Sequence, residues 1–383
     1  MAAKRRGRGE DSIYERRTQD GRKVYAGMVS LGFGPDGKRV RKTVSGATKA
    51  EVREGLKKIH RDVDAGLEAG QASQTVGAWL SKWLQQLEDG QKRRSNTLRR
   101  YGSLVRVHLI PGLGSHRLDK LSRVHVDDLL TRKLGELQSR TVDHLRAVLR
   151  TALNRAMRDG IVLRNAAALT DPVEVPKTPR RSLSLDEARA LLKAAQGERL
   201  EALYALTVNV GLRIGEGLAL RWQDANLDAG RLSVVYNLQR VRGKLDPCVE
   251  PKTDQSRRTV SLPPAVVQAL TDHRARQRKE KLRHLPIWQE SDLIFTSQIG
   301  SPLDPNDVSR GFQEFLTRKG LPKVRFHDLR HSALSIMASL GVLPHELMTI
   351  AGHSKIATTM EIYVDTKDEA KDAAAVKMGL ALG

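Results

Sequence analysis

Two short runs near the C-terminus contain the residues of this chain that could carry out chemistry. The run HDLRH extends from His327 to His331, and the run GHSKIATTMEIY extends from Gly352 to Tyr363. With Arg213 in GLRIGEGLALRW, they supply two arginines, two or three histidines and a tyrosine. This combination of residue types is suited to attack on a phosphodiester without a metal ion.

Cleavage of a phosphodiester needs groups that stabilise a negatively charged phosphorane, activate a nucleophile and protonate the leaving oxygen. Two guanidiniums suit the non-bridging oxygens because each has a planar fork of donors. A histidine can take a proton near neutral pH, a lysine can donate one, and a tyrosine phenol can be the nucleophile. A phosphotyrosine would conserve bond energy for rejoining, so no ATP site is needed and none is seen. No metal-binding cluster stands out, so we expect neither a metal nor another cofactor.

Two cationic candidates precede these runs. The glycines around Arg213 suggest a turn that enters a helix, where an arginine is more often a surface or salt-bridge residue. Glu216, three residues on, could hold the guanidinium through a charge-assisted pair. Lys252 lies in a turn between two predicted strands, where a lysine is usually only solvated, although a hairpin tip is suited to delivering a proton donor into a DNA groove. Lys244 is a nearby rival for that role.

The histidine, arginine and tyrosine candidates of the two runs also have structural alternatives. His327 and Arg330 are spaced i, i+3, so a helix places both on one face. Helix capping or a satisfied core histidine is the alternative, and His331 could compete for the role. His353 follows a glycine, and Tyr363 comes ten residues later on an amphipathic helix, where a tyrosine is normally a core or boundary residue. Only the combination favours catalysis.

Charge and composition indicate the partner. The 383 residues include 66 Lys and Arg against 44 Asp and Glu, a formal net charge of +22. Nucleic acid is the first expected partner and an anionic membrane surface the second, because such an excess repels itself unless a polyanion binds. No apolar run is long enough to span a membrane, and the basic N-terminus lacks the apolar segment of a secretory signal. The single Cys248 cannot form an internal disulfide, so we expect a reducing, cytoplasmic setting in a bacterial host, close to the nucleoid.

Hydrophobic patterning predicts an α+β fold, mostly helical, in three domains. Residues 1–68 combine a basic extension with three strands and a helix, because Asp-Gly turns separate β-branched runs. Residues 74–168 predict a helical bundle with tryptophans in its core. Prolines between residues 166 and 182 mark a boundary. Residues 180–383 predict a mixed α/β domain with a C-terminal tail, in which strand-like RLSVVYNLQRV and RRTVSLP flank an irregular GKLDPCVEPKTDQS.

The first two domains carry basic residues that are candidates for contact with DNA. The alternative is an ordinary solvated surface. In the predicted sheet, the candidates are Arg16, Arg17, Arg22, Lys23, Lys38, Arg39, Arg41 and Lys42. In the helical bundle, they are Lys92, Arg93, Arg94, Arg99, Arg100 and Arg106.

Four pieces of the chain, taken with their order and spacing, resemble the tyrosine recombinase (phage integrase) family: GLRIGEGLALRW, PKTDQSRRTVSLP, HDLRHSALSIMASLG and GHSKIATTMEIY. The helical region resembles the family's core-binding domain more weakly, and the N-terminal sheet and helix resemble the arm-type DNA-binding domain of the larger integrases. The resemblance implies a site-specific recombinase that integrates or excises a phage or mobile element. The alternatives are a transposon-type or resolvase-type recombinase, a type IB topoisomerase, or a catalytically silent DNA-binding regulator.

The resemblance also implies a role for each candidate residue. Tyr363 would attack the scissile phosphate, giving a 3′-phosphotyrosyl linkage and a free 5′-hydroxyl. Arg213 and Arg330 would clamp the phosphate, and Glu216 would support Arg213. Lys252 would protonate the leaving 5′-oxygen, and His327 would assist proton transfer at the tyrosine. His353 would donate a hydrogen bond to the phosphate.

The family's assembly implies several partners. A homotetramer would act on core and arm attachment sites of double-stranded DNA and exchange strands through a Holliday junction. The tail after Tyr363 could pack on a neighbouring copy. A host DNA-bending protein and an excision factor are further candidate partners.

Overall fold

The computed structural model describes residues 12–18, 20–33, 39–64, 74–90, 95–176, 181–241, 243–250, 256–365 and 378–379. The chain divides into two compact units, Met1–Lys177 and Thr178–Gly383. The predicted fold class, α+β and mostly helical, is confirmed, whereas the division into three functional domains stays a prediction. None of the described helices is long and apolar enough to cross a membrane.

The first unit begins with an antiparallel sheet covered by one helix. The sheet has the order β1-β2-β3, with β1 Ser12–Arg17, β2 Lys23–Phe33 and β3 Arg39–Gly46, and the helix is α1 Lys49–Asp64. Val29 of the sheet packs against Val52, Leu56 and Ile59 of α1 in a small hydrophobic cluster. This module therefore has a core of its own.

The rest of the first unit is a helical bundle. Its helices are α2 Val76–Asp89, α3 Ser95–Leu104, α4 Ile110–Leu113, α5 Arg123–Leu134 and α6 Ser139–Arg158, with a π-helical turn at Val105–Leu109 and 3₁₀ turns at Leu118–Lys120 and Ala166–Ala168. Trp79 is fully buried, and its indole N–H donates to the carbonyl of Ala152 at 3.1 Å. The tryptophans thus belong to the core, as their helical spacing predicts.

The second unit mixes short strands with helices. Its elements are α7 Leu185–Ala194, α8 Glu201–Val210, α9 Ile214–Leu218, β4 Ala225–Asn226, β5 Arg231–Val234, β6 Asn237–Val241, β7 Lys244–Val249, β8 Arg258–Ser261, α10 Pro264–Arg283, α11 Pro305–Arg318, α12 Phe326–Ser339, α13 Pro344–Ala351 and α14 Ile356–Asp365, with 3₁₀ turns at Trp222–Asp224 and Leu285–Ile287. One antiparallel sheet has the order β4-β5-β8, and β6 and β7 form a separate hairpin.

The predicted irregular stretch after β6 was wrong in its first half. Lys244–Val249 is a strand, because the turn lets Val241 pair with Lys244. Gly243 has φ of 83° at that turn, a conformation that favours glycine.

Helices α8 and α12 form the centre of the second unit. The ring of Tyr204 on α8 lies 5.2 Å from Phe312 and 6.2 Å from Phe326, measured between centroids. A smaller cluster, Leu334, Ala338, Leu347, Ala351 and Ile362, joins α12, α13 and α14. The packing of these four helices positions the residues described next.

Candidate functional site

Arg213 lies at the junction of α8 and α9. Helix α8 ends at Val210, and its C-cap Gly211 adopts a left-handed conformation with φ of 70°. Arg213 is then the N-cap of α9, and its backbone N–H donates to Oε2 of Glu216 at 3.0 Å. Its guanidinium donates to Oε1 of the same carboxylate at 2.6 Å. The structure therefore places Arg213 at a helix start and holds it with Glu216.

Among the predicted cations that the structure describes, Arg330 is the most buried, with 3% of its surface exposed. It lies in the second turn of α12 and donates to the carbonyls of Gly211 at 2.5 Å and Ala351 at 2.7 Å. A guanidinium has five N–H donors. Two carbonyl acceptors therefore leave donors available for a phosphate, and they link the end of α8 to the end of α13.

A third arginine, Arg258 on β8, was missed by the sequence reasoning. Its side chain is 5% exposed and donates to Oε2 of Glu216 at 3.0 Å and to the carbonyl of Ile350 at 2.6 Å. The signal was in the strand pattern, because alternate residues of a strand face the same side. Val260, two residues on, is 6% exposed, so Arg258 belongs to the buried face of β8.

His353 lies two residues after the end of α13. The C-cap of that helix, Gly352, adopts a left-handed conformation with φ of 63°. Arg213 donates to the Gly352 carbonyl at 3.4 Å, which brings the arginine close to the histidine's backbone. The His353 ring is 8% exposed, and its Nδ1 lies 2.9 Å from the Thr359 hydroxyl of α14. His353 thus connects the arginine cluster with the helix that carries Tyr363.

The charges of the site are unbalanced. Burial alone would raise the pKa of Glu216, but Arg258 and Arg213 outweigh burial and hold its pKa below the usual range. Burial, and then repulsion from Arg213, lowers the pKa of Arg330 to about 9, so Arg330 remains charged at neutral pH. One carboxylate thus faces three guanidiniums, a surplus of positive charge that a phosphate would neutralise.

Both predicted histidines are neutral at pH 7. Burial, and then the charges of Arg330 and Arg213, lowers the pKa of His353 to about 4. Desolvation, and then the neighbouring His331, lowers the pKa of His327 to about 4. Because His327 also keeps an exposed edge, solvent screens part of this shift, but its ring is neutral at pH 7 in either case. A neutral imidazole can accept a proton.

His327 contacts His331, the neighbouring histidine that could compete for its role. The rings of His327 and His331 lie edge to face with centroids 5.2 Å apart. His331 is half-buried and His327 is exposed at the start of α12. His327 is therefore the more accessible of the two.

The structure describes Tyr363 only in part and Lys252 not at all. Tyr363 belongs to α14, whose position is fixed by Ile362, 7% exposed in the cluster with α12 and α13. Lys252 lies outside the described residues, in the connection between β7 and β8. Its rival Lys244 is exposed at the start of β7.

The predicted DNA-contacting residues belong to the first unit. In β1 and β3, Ile13 and Val44 pack against the α1 cluster. Alternation therefore puts Arg16 and Arg41 on the face of the sheet away from the helix. Others of this set are on the helix-side face, in turns or on the bundle: Arg17, Arg22, Lys23, Lys42, Arg99, Arg100 and Arg106.

Some of these cations have partners within the unit. Lys23 pairs with Glu15 at 3.1 Å, and Arg106 lies 3.5 Å from Glu88. Arg100 contacts His144. Lys38, Lys92, Arg93 and Arg94 lie outside the described residues.

Sequence comparison finds clear relatives. The profile of the Phage integrase family matches residues 181–370. An integrase of Streptomyces ambofaciens is 32% identical over 374 residues, which cover 94% of this chain and 93% of the relative.

Solved structures share the fold. The integrase of the transposon Tn1549, in complex with a circular intermediate DNA, matches with a TM-score of 0.67 and 22% identity, over 80% of this chain and 100% of the other. A lambda integrase tetramer bound to a Holliday junction matches with a TM-score of 0.59 and 18% identity, over 93% of this chain and 95% of the other.

Proposed function

The chain belongs to the phage integrase family, and on this basis we propose that it is a site-specific DNA recombinase working through a phosphotyrosine. It integrates or excises a mobile element by cutting and rejoining double-stranded DNA. The observation that carries the proposal is the convergence of Arg213, Arg330 and His353 from three separate segments beside the helix of Tyr363.

In the proposed cleavage step, the phenol oxygen of Tyr363 attacks the scissile phosphorus. A bond forms between the phenol oxygen and phosphorus, and the bond to the 5′-oxygen breaks. His327 takes the phenolic proton, for which its neutral ring is suited. Lys252 gives a proton to the departing 5′-oxygen. Rejoining reverses these steps with a 5′-hydroxyl of another strand, so no external energy source is consumed.

The phosphate would bind in the surplus positive charge of the site. Arg213 and Arg330 donate to its non-bridging oxygens, and His353 donates a further hydrogen bond. Extra negative charge develops on these oxygens in the phosphorane, so the preorganised donors stabilise the transition state more than the ground state. Glu216 keeps Arg213 in place through the 2.6 Å pair.

The assembly and the use of the first unit are also part of the proposal. A homotetramer on a Holliday junction is supported by the solved lambda integrase assembly of similar fold. Residues 1–68 would bind arm sites, residues 74–168 would bind the core site, and residues 180–383 would carry out the chemistry. The host cytoplasm is the proposed setting. A DNA-bending protein and an excision factor stay predictions.

The substitution Tyr363→Phe tests the proposed nucleophile. The variant should bind DNA like the wild type but form no covalent adduct on a nicked duplex that spans the crossover sequence, because the phenol oxygen is gone. The adduct is measured by denaturing gel electrophoresis. Adducts that persist in the variant would show a different nucleophile, and a wild type without adducts would contradict the proposed function itself.

A further inference from the structure

Three arginines donate hydrogen bonds to consecutive carbonyls at the end of α13. The carbonyls of Ile350, Ala351 and Gly352 are consecutive. They accept hydrogen bonds from Arg258 at 2.6 Å, Arg330 at 2.7 Å and Arg213 at 3.4 Å, respectively. The C-terminal end of a helix carries partial negative charge and carbonyls without helical partners, so it attracts cations. His353 is the next residue along the chain.

The same three arginines surround one carboxylate. Glu216 is 5% exposed, and its Oε1 is taken by Arg213 at 2.6 Å. Its Oε2 accepts from Arg258 at 3.0 Å and lies 3.9 Å from Arg330. Arg258 therefore occupies the carboxylate oxygen of Glu216 with which Arg330 would otherwise form an ion pair. Arg330 is bound by neutral carbonyls instead, and its charge stays available for a phosphate.

From these contacts we infer that Arg258 is a positioning residue of the strand-cleavage reaction, an inference that rests on the proposed function. Arg258 occupies Oε2 of Glu216 and fixes the last turn of α13. In this way it prevents Glu216 from neutralising the charge of Arg330. It also holds His353 beside the phosphate clamp of Arg213 and Arg330. Arg258 acts through these residues and does not itself touch the DNA.

The chain position of Arg258 adds a second consequence. Arg258 lies six residues after Lys252 along the chain, at the start of β8. Its third hydrogen bond goes to the carbonyl of Ser256 at 3.2 Å, within the end of that connection. The side chain therefore ties the base of the Lys252 connection to Glu216 and α13.

The test compares Arg258→Met with Arg257→Met in the full-length protein. Methionine keeps much of the volume and removes the guanidinium. Arg257 is the matched control, because it is the neighbouring arginine, is exposed, and pairs with Glu250 at 2.7 Å outside the cluster. The measurements are the affinity for duplex DNA, the single-turnover rate of covalent adduct formation at saturating DNA, and that rate as a function of pH.

We expect Arg258→Met to bind DNA within about threefold of the wild type but to form adducts on the order of 100-fold more slowly, the size of effect that a displacement of the catalytic groups by about 1 Å can have. The acid limb of its pH–rate profile should move to higher pH, because Glu216 loses the first of the cations that lower its pKa. Arg258→Lys should restore part of the rate, since an ammonium cannot bridge Glu216 and Ile350 with a planar fork. Arg257→Met should behave like the wild type.

Several results would overturn the inference. One is an unchanged saturating rate in Arg258→Met, even with lower thermal stability, because the arginine would then be only structural. Another is a loss confined to DNA affinity, which would make Arg258 a DNA contact. If Arg258→Met does not fold, Arg258→Lys is the deciding variant. A wild-type rate and pH profile in Arg258→Lys would reject the positioning role. Adduct formation by the wild-type protein in the same experiment distinguishes these outcomes from a failure of the proposed function, in which the wild type would form no adducts either.

Discussion

At the scale of single residues, the site is defined by a surplus of positive charge among the residues that the structure describes. Three guanidiniums share the carboxylate of Glu216, and the nearby rings of His327 and His353 are neutral at pH 7. This arrangement costs free energy in the absence of a ligand, because like charges repel in a buried setting. The proposed binding of a phosphate would offset that cost.

The neutral state of His353 predicts a loss of stability in acid. Its pKa falls from an ordinary 6.5 to about 4 in the folded protein. As pH falls through this window, the unfolded chain takes up a proton that the folded chain does not, so the folded state loses stability. Between pH 7 and pH 5, this single group should cost about 2 kcal/mol.

Urea unfolding of the wild type and of His353→Gln at pH 7 and pH 5 measures this effect. The wild type should lose more stability than the variant over the interval. Equal losses in the two proteins would show that His353 is not held neutral. Glu216, whose pKa is also lowered, loses its contribution only at more acid pH and in the same direction.

At the scale of elements, the clamp depends on the close approach of α9 to β6. A Cβ built on Gly215 would lie 2.3 Å from Oδ1 of Asn237 and 2.9 Å from the carbonyl of Leu238. Only a glycine lets the strand and the helix lie this close. Arg213 and Glu216 flank Gly215, so the spacing between α9 and β6 also sets the position of the clamp.

The substitution Gly215→Ala should therefore impair both stability and cleavage. Overpacking typically costs about 1–3 kcal/mol, and the displacement of α9 should slow adduct formation as well. The matched control is Gly311→Ala on α11, where an added Cβ meets nothing within 4 Å. At that exposed helical position, alanine should be neutral or stabilise by up to about 1 kcal/mol.

Urea unfolding and single-turnover adduct formation are the measurements for both glycine variants. A Gly215→Ala protein as stable and active as Gly311→Ala would mean that α9 and β6 can separate without effect on the clamp.

At the scale of the whole molecule, the net charge of +22 and the separate core of the N-terminal module matter most. The cluster of Val29, Val52, Leu56 and Ile59 is distinct from the larger core of the bundle, which contains Trp79. A module with its own core can be removed without opening the core of the bundle.

Removal of residues 1–65 should weaken binding to flanking arm DNA more than binding to the crossover core. The truncated protein should also show a smaller slope of log affinity against log salt on arm-containing DNA, because fewer phosphates are neutralised. Titrations of both DNA types at several salt concentrations measure this, with circular dichroism as the folding control. An equal loss on the two DNA types would contradict the arm assignment.

The sequence by itself determined which residue types are present and, at a capping box, where a helix begins. Ser184 and Glu187, in the capping-box pattern S-x-x-E, form reciprocal bonds of 3.0 and 3.1 Å, because capping involves residues only three apart. Local spacing was less reliable at a helix end. Leu340 continues the helical spacing of Leu334 and Met337, yet α12 ends at Ser339 and Leu340 is 70% exposed.

Only the tertiary structure decided which partners these residues have. Arg258 lies 42 residues from Glu216 and 92 from Ile350 along the chain, yet it binds both. The neutral ring of His353 likewise depends on burial and on arginines from other elements. Capping and periodicity follow from neighbours in sequence, whereas charge balance and pKa depend on groups that meet only when the chain packs.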